Sequence, residues 1–183
     1  MQDVGVWQER FPELFAPAYV DYANTDITFT LDAPPDELIG RVHCVAVDPQ
    51  HRVAVCRSVD EWRFLPGGTR ERDESISELV TRELLEEAGA KTSGDPVIFA
   101  SQVSRSRNPE PYRAHLPHPL SYWAFAVVEA EVVQPPSNPD DGEQVVEVRS
   151  LLPDEAAAWL AVHDPVCADI VRLALAMDLI SRA

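Results

Sequence analysis

A helix that carries its carboxylates on the side it must also bury is the strongest constraint in this sequence. Ser75 and Glu78 form an S-x-x-E capping box in front of a periodic apolar run. Gly89 supplies the residue type that commonly ends a helix in the left-handed conformation, so the spacing predicts a helix over Ile76 to Ala88. At about 100° per residue, Glu83, Glu86 and Glu87 fall within an arc of roughly 100°. Leu79 lies about 40° to one side of Glu83, and Ile76 and Val80 lie about 20° and 60° to the other. A solvated acidic stripe would sit opposite those apolar residues. Here the stripe shares their half of the helix, where unpaired carboxylates are costly. A hard divalent cation, which takes oxygen ligands, removes that cost.

The wider segment from Gly68 to Ala90 reads GTRERDESISELVTRELLEEAGA. It resembles the signature of the Nudix hydrolases, G-x5-E-x7-R-E-U-x-E-E-x-G-U with U a bulky aliphatic residue. Gly68, Glu74, Arg82, Glu83, Glu86, Glu87 and Gly89 match every fixed letter, and Ala90 departs from the last U. With each residue type at roughly one position in fifteen, chance supplies such a match in about one chain of this length in a million. The resemblance implies that Glu83, Glu86 and Glu87 ligate Mg2+, with Mn2+ a substitute, and that a backbone carbonyl, by position that of Gly67, joins them. Pro66-Gly67-Gly68 is a turn whose missing side chains let backbone approach a ligand. Arg82 and Glu74 stand off the stripe, where guanidinium and carboxylate can pair and brace the loop against the helix. An ordinary surface ion pair is the alternative for those two.

A chain of 183 residues with 45% apolar residues suits one domain with a filled core. The formal charge of −16 excludes a basic nucleic-acid groove. Metal ions and a few arginines can still reverse the field locally for a small phosphorylated molecule. Cys44, Cys56 and Cys167 form no C-x-x-C pair, so neither a disulfide framework nor a zinc site is indicated. The first residues have no basic and apolar leader pattern, and no stretch approaches a membrane span. A cytoplasmic protein is expected.

Two β-rich runs joined by a turn at Asp48 to Arg52 read as a hairpin within Gly40 to Arg57. Further strands are expected at Trp62 to Leu65, Pro96 to Val103, Leu120 to Val133 and Val145 to Leu151, with helices at Pro153 to Val162 and Pro165 to Ser181. The class is α+β. The resemblance, over about Ile39 to Val162, implies an α/β/α sandwich with a mixed central sheet, so residues 38–183 are assigned to one Nudix domain with C-terminal helices. Residues 1–37 form an N-terminal extension with a short helix around Trp7, Phe11, Leu14 and Phe15 and a strand near Ile27 to Leu31. Its aromatics pack as core or as dimer contacts, and extensions of this kind in the family point to a homodimer.

The loop Ser104 to Pro119 is the one locally basic stretch, and its Arg105, Arg107 and Arg113 are candidate phosphate ligands. A proline-stiffened surface loop is the alternative. His115 and His118 lack a third ligand at zinc spacing and receive no metal role. Trp62, Tyr112, Tyr122 and Trp123 could stack on a base, but strand aromatics are more often core.

The family's chemistry is in-line attack of water on a diphosphate phosphorus, and it needs a general base. Glu143, in a loop, is the first candidate and Glu147 the second. The resulting expectation is a Mg-dependent hydrolase of a nucleoside diphosphate linked to another group. A non-catalytic nucleotide-sensing module is the alternative, followed by an isoprenoid diphosphate isomerase.

Overall fold

The computed structural model describes residues 4–140 and 142–182. Two short helices, α1 (Val4–Arg10) and α2 (Pro12–Phe15), precede strands β1 (Ala18–Val20), β2 (Thr25–Thr30), β3 (Ile39–Val47), β4 (Val53–Ser58), β5 (Arg63–Phe64) and β6 (Gly67–Thr69). Helix α3 (Ile76–Ala88) follows, then β7 (Ala90–Thr92), β8 (Val97–Ser106), β9 (Leu120–Val132), β10 (Val145–Leu151), α4 (Pro153–Leu160) and α5 (Pro165–Ala176). No helix among the described residues is long and apolar enough to cross a membrane.

The main sheet runs β1-β2-β8-β9-β3-β4-β10, and β3 pairs in parallel with β9 while its other neighbours are antiparallel. Strands β3 and β4 register only at Val47↔Val53. They then part, and β6 occupies the vacated edge of β3 through Arg41↔Thr69, Val42↔Gly68 and His43↔Gly67. Strand β5 takes the matching edge of β4 through Cys56↔Phe64. Because β-ladders leave backbone groups in need of partners, the cleft is lined by paired backbone on both sides. The Cys44 N–H to Pro66 carbonyl bond, 2.8 Å, seals its inner end.

The sheet alternation divides the core. Val42, Cys44 and Ala46 on β3 face α3 with Leu79, Val80, Leu84 and Ala88. Val45, with Val55, Leu65 and Phe125, faces α4 and α5 through Leu160, Ile170 and Leu173. Trp7, Phe11 and Leu14 are buried in this second cluster, so the N-terminal segment closes the core of its own chain. Prolines 12 and 17 limit the expected helix to two short pieces, α1 and α2.

The helix over Ile76 to Ala88 has the expected limits, capping box and left-handed Gly89. The hairpin, its turn and the strands expected from Leu120 and from Val145 also stand as read, while β5 is shorter than expected, at Arg63–Phe64. The last two helices end sooner than expected, at Leu160 and Ala176, where backbone amides close onto Ala157 and onto Leu173 and Leu175. Strands β1 and β7 carried no usable periodicity, having three residues each. The largest departure concerns Ser104 to Pro119. Strand β8 continues to Ser106, since β2 and β9 offer it partners on both edges: Arg105 is paired with Asp26 and with Leu120.

Gly89 ends α3 at φ 59°, and a Cβ there would collide with the Gln134 carbonyl oxygen. A Gly89→Ala variant should lose about 2 kcal/mol or more, the left-handed penalty plus the clash. Gly94→Ala, whose Cβ meets nothing nearer than a Glu129 oxygen at 4.0 Å, should change stability by under about 0.5 kcal/mol. Urea denaturation of the two variants checks the difference.

Candidate active site

The cleft between β3 and β4 opens into a cavity of about 770 Å³ lined by Glu83, Glu86 and Glu87 from α3, by Gly67, Gly68 and Thr69 from β6, and by Glu143. All three helix carboxylates predicted to share a face reach it. Glu83 and Glu87 are buried, at 7% and 6% exposure. The Gly67 N–H donates to Glu87 Oε2 at 2.8 Å, tying the end of α3 to the turn. At Gly67 (φ 149°) a Cβ would strike the Val42 carbonyl oxygen, and at Gly68 it would strike the Glu83 carboxylate. Both glycines are therefore required by close approach.

Burial pushes the Glu87 carboxyl up to about 8; Glu83 and Glu143 push the same way, and the Gly67 amide and Arg41 offset only part of it. Glu83 is also raised, by burial first, against the opposing pull of Arg82. Both carboxylates are raised chiefly because burial strips them of water, and the nearby positive charge offsets only part of that.

Arg82 is placed differently from the sequence expectation. It does pair with Glu74, through Nε at 2.7 Å and Nη2 at 3.0 Å, and so braces the loop. Its Nη1 also donates to Glu83 at 2.8 Å and to Glu86 at 3.2 Å, and Nη2 donates to the Thr69 carbonyl. The long side chain reaches back over the stripe instead of standing off it. Burial raises Glu74, but the Arg82 and Glu71 hydrogen bonds more than offset it and leave this carboxyl below its usual range. With Arg82 on Glu83 and Glu86, and Gly67 on Glu87, no three His, Cys, Asp or Glu side chains among the described residues are drawn together as a finished metal cluster. The donor set still suits a divalent cation: hard oxygens, desolvated and short of positive charge, beside side-chain-free backbone.

The remaining candidates separate clearly. Glu143 lines the cavity close enough to raise Glu87. Glu147 lies in β10, bound to Arg57 at 2.7 Å and to Arg149 at 2.6 Å, and does not line the cavity. Arg113 lines it, with Tyr112. Arg105 does not, and Arg107 is held outside by Asp26 at 2.6 Å, with Tyr19 beneath its guanidinium. His115 bonds the Arg70 carbonyl at 2.9 Å in a separate, smaller cavity.

Sequence reasoning missed Arg41, His43, Gln102 and His163. Arg41 and His43 alternate with buried residues along β3, a polar interruption of an apolar strand that was open to notice. Burial, then the Arg41 charge, pushes His43 down to about 3, so its imidazole is neutral. Nδ1 lies 3.1 Å from the Leu65 carbonyl, which only accepts, so Nδ1 carries the proton and Nε2 is left as an acceptor. Trp62 and His163 stack at the cavity rim with centroids 5.8 Å apart.

A model of the NUDIX domain matches residues 38–170. The chain is similar in structure to a mutant of the Bacillus subtilis pyrophosphohydrolase BsRppH, with a TM-score of 0.57 at 14% identity over 90% of this chain and 93% of that one. It is similar also to a NUDIX hydrolase from Nitrosomonas europaea, with a TM-score of 0.54 at 16% identity over 79% of this chain and 93% of that one. At these identities the likeness is one of fold. No curated protein matches the chain in sequence. The domain model spans the cleft, the capped helix and its carboxylates together, and the chain belongs to the Nudix family of hydrolases.

Proposed function

We propose that this protein hydrolyses the diphosphate bond of a nucleoside diphosphate linked to a second group, by attack of water on phosphorus. The observation that carries the reading is the pair Glu83 and Glu87, buried, raised in pKa and open to one cavity that also holds Glu143. Glu83, Glu86, Glu87 and the Gly67 carbonyl would hold Mg2+, or Mn2+, which supplies charge for the phosphate oxygens and the attacking water. Arg82 bridges Glu83 and Glu86 and offsets part of their charge, and its bidentate hold on Glu74 fixes the loop through Thr69. Glu143 accepts the proton of the attacking water. It is exposed at the cavity mouth, so it gives that proton up to solvent after each turnover.

The nucleoside part of the reading is supported by the Trp62–His163 stack and by exposed Tyr112 on the cavity wall, planar surfaces of the kind bases stack on. A non-catalytic sensing role is weakened by the complete carboxylate set. The isomerase reading lacks a reagent: Cys44 and Cys56 are fully buried, and burial holds both thiols above their ordinary range. A cytoplasmic location and pairing of subunits remain compatible with this function, although Trp7, Phe11 and Leu14 are committed to the core.

Glu87→Gln should lower kcat with magnesium by about 100-fold or more across a panel of nucleoside diphosphate derivatives. Product analysis by phosphorus NMR checks it, and undiminished turnover would remove α3 from the mechanism. Glu143→Gln should cost about 100-fold in kcat. Glu147→Gln should leave kcat within about twofold, and the reverse order would move the base to β10. A third expectation concerns pH. The folded-state pKa of Glu87 lies above its unfolded value of 4.5, so stability it contributes is fully present below about pH 4.5 and is lost as pH rises toward about 8. The melting temperature of the cation-free protein should therefore fall over that window, and fall less in Glu87→Gln. Scanning calorimetry at several pH values decides it.

A further inference from the structure

Strand register lays one row of side chains across the cavity floor. Arg41 on β3 is opposite Trp123 on β9, Trp123 is opposite Gln102 on β8, and Arg41 is opposite Thr69 on β6. Residues paired across strands share a face, and all four line the cavity. The Arg41 guanidinium carbon sits 5.3 Å from the Trp123 ring centroid, a cation resting on an indole.

Arg41 differs from its counterparts. Among the described residues the other arginines that are not exposed, Arg57, Arg63, Arg70 and Arg82, each donate to a carboxylate or a carbonyl. Among the described residues the Arg41 side chain has no hydrogen-bond or ion-pair partner, and its Nε is buried. A half-buried cation whose inner donor has no partner is costly unless it serves an anion that arrives later. Glu87, which feels its charge, does not bond it, because that carboxylate is held by the Gly67 amide. Stacking on Trp123 restrains the guanidinium while leaving its N–H edge free, the presentation that suits phosphate oxygens. Gln102, two strands away in the same row, adds a side-chain amide to the same cavity wall.

We propose that Arg41, seated on Trp123 and flanked by Gln102, is the phosphate-binding residue of the cavity, gripping a phosphate of the substrate's diphosphate. The inference rests on the hydrolase reading for the identity of its anion, but the anion-binding element itself needs no turnover. It assigns to the sheet floor the task that composition suggested for Arg105 and Arg107, both of which lie outside the cavity.

Calorimetric titration with inorganic diphosphate in the presence of EDTA reads the site without metal. Wild type should bind, and Arg41→Gln should bind about tenfold or more weakly with an undiminished melting temperature, since it removes an unpaired charge. Arg41→Lys, which keeps the charge and loses the fork, should recover part of the affinity and answers the question if the glutamine variant is unstable. In turnover assays with magnesium, Arg41→Gln should raise KM about tenfold and change kcat much less. Equal diphosphate affinity in wild type and both variants, or no binding by wild type, overturns the proposal. Lost diphosphate binding in Arg41→Gln, with no nucleotide hydrolysed by wild type, leaves this site standing and sinks the hydrolase reading.

Discussion

The hydrogen bond from the Gly67 amide to Glu87 holds the site together, because it joins three things that would otherwise be independent. It fixes the C-terminal end of α3, it fixes the turn that fills the gap between β3 and β4, and it brings a carboxylate into a place with little water. Without the parting of β3 and β4 after Val47↔Val53, the Glu87 side chain would meet closed sheet. Without glycine at 67 and 68, the turn could not lie against both Val42 and Glu83. The bond itself is short, yet it only partly offsets the burial of Glu87, whose pKa stays raised. The geometry is secure and the charge is not.

Arg82 answers part of that imbalance. One guanidinium serves Glu74, Glu83, Glu86 and the Thr69 carbonyl, so the loop from β6 to α3 and the acidic face of the helix share a single cation. A side chain with that many acceptors can give up one and keep the rest. If Glu83 and Glu86 hold a divalent cation as proposed, the loop would not be dismantled, because the bidentate hold on Glu74 is independent of them. A shared cation of this kind keeps desolvated carboxylates from repelling one another before a metal is bound.

Much of this was legible in the sequence, and for identifiable reasons. The capping box, Gly89 and the wheel positions of Glu83, Glu86 and Glu87 are local, spanning a few turns of one helix, and local patterns survive folding. Arg107 was misjudged because a basic residue near a loop looks free in sequence, while its partner Asp26 lies on another strand 81 positions away. Arg41 was overlooked for the opposite reason. Its importance comes from what it does not touch, and an absence of partners depends on the register of β3, β6, β8 and β9. The N-terminal segment shows the same limit: its aromatics read equally as core or as dimer contacts, and only the tertiary fold places Trp7 and Phe11 in one cluster with Leu160, Ile170 and Leu173.

The chain as a whole carries a formal charge of −16, and its cavity collects carboxylates, so phosphate can enter only where that field is locally reversed. Three arginines line the cavity: Arg41, Arg82 and Arg113. Arg82 is consumed by the helix and its loop. Arg113 is exposed beside Tyr112, where solvent weakens its pull. Arg41 alone combines partial burial, a fixed aromatic support and unused donors, and low local dielectric makes each of its bonds to an anion stronger than the same bond at the rim. Opposed fields follow within one cavity: carboxylates on the α3 side that favour a cation, and a guanidinium on the sheet floor that favours phosphate. A phosphorylated ligand accompanied by a divalent cation satisfies both at once, while either partner alone leaves one wall uncompensated. On the proposed reading, selectivity for the pair follows from where the charges lie, before any contact with the rest of the ligand is considered.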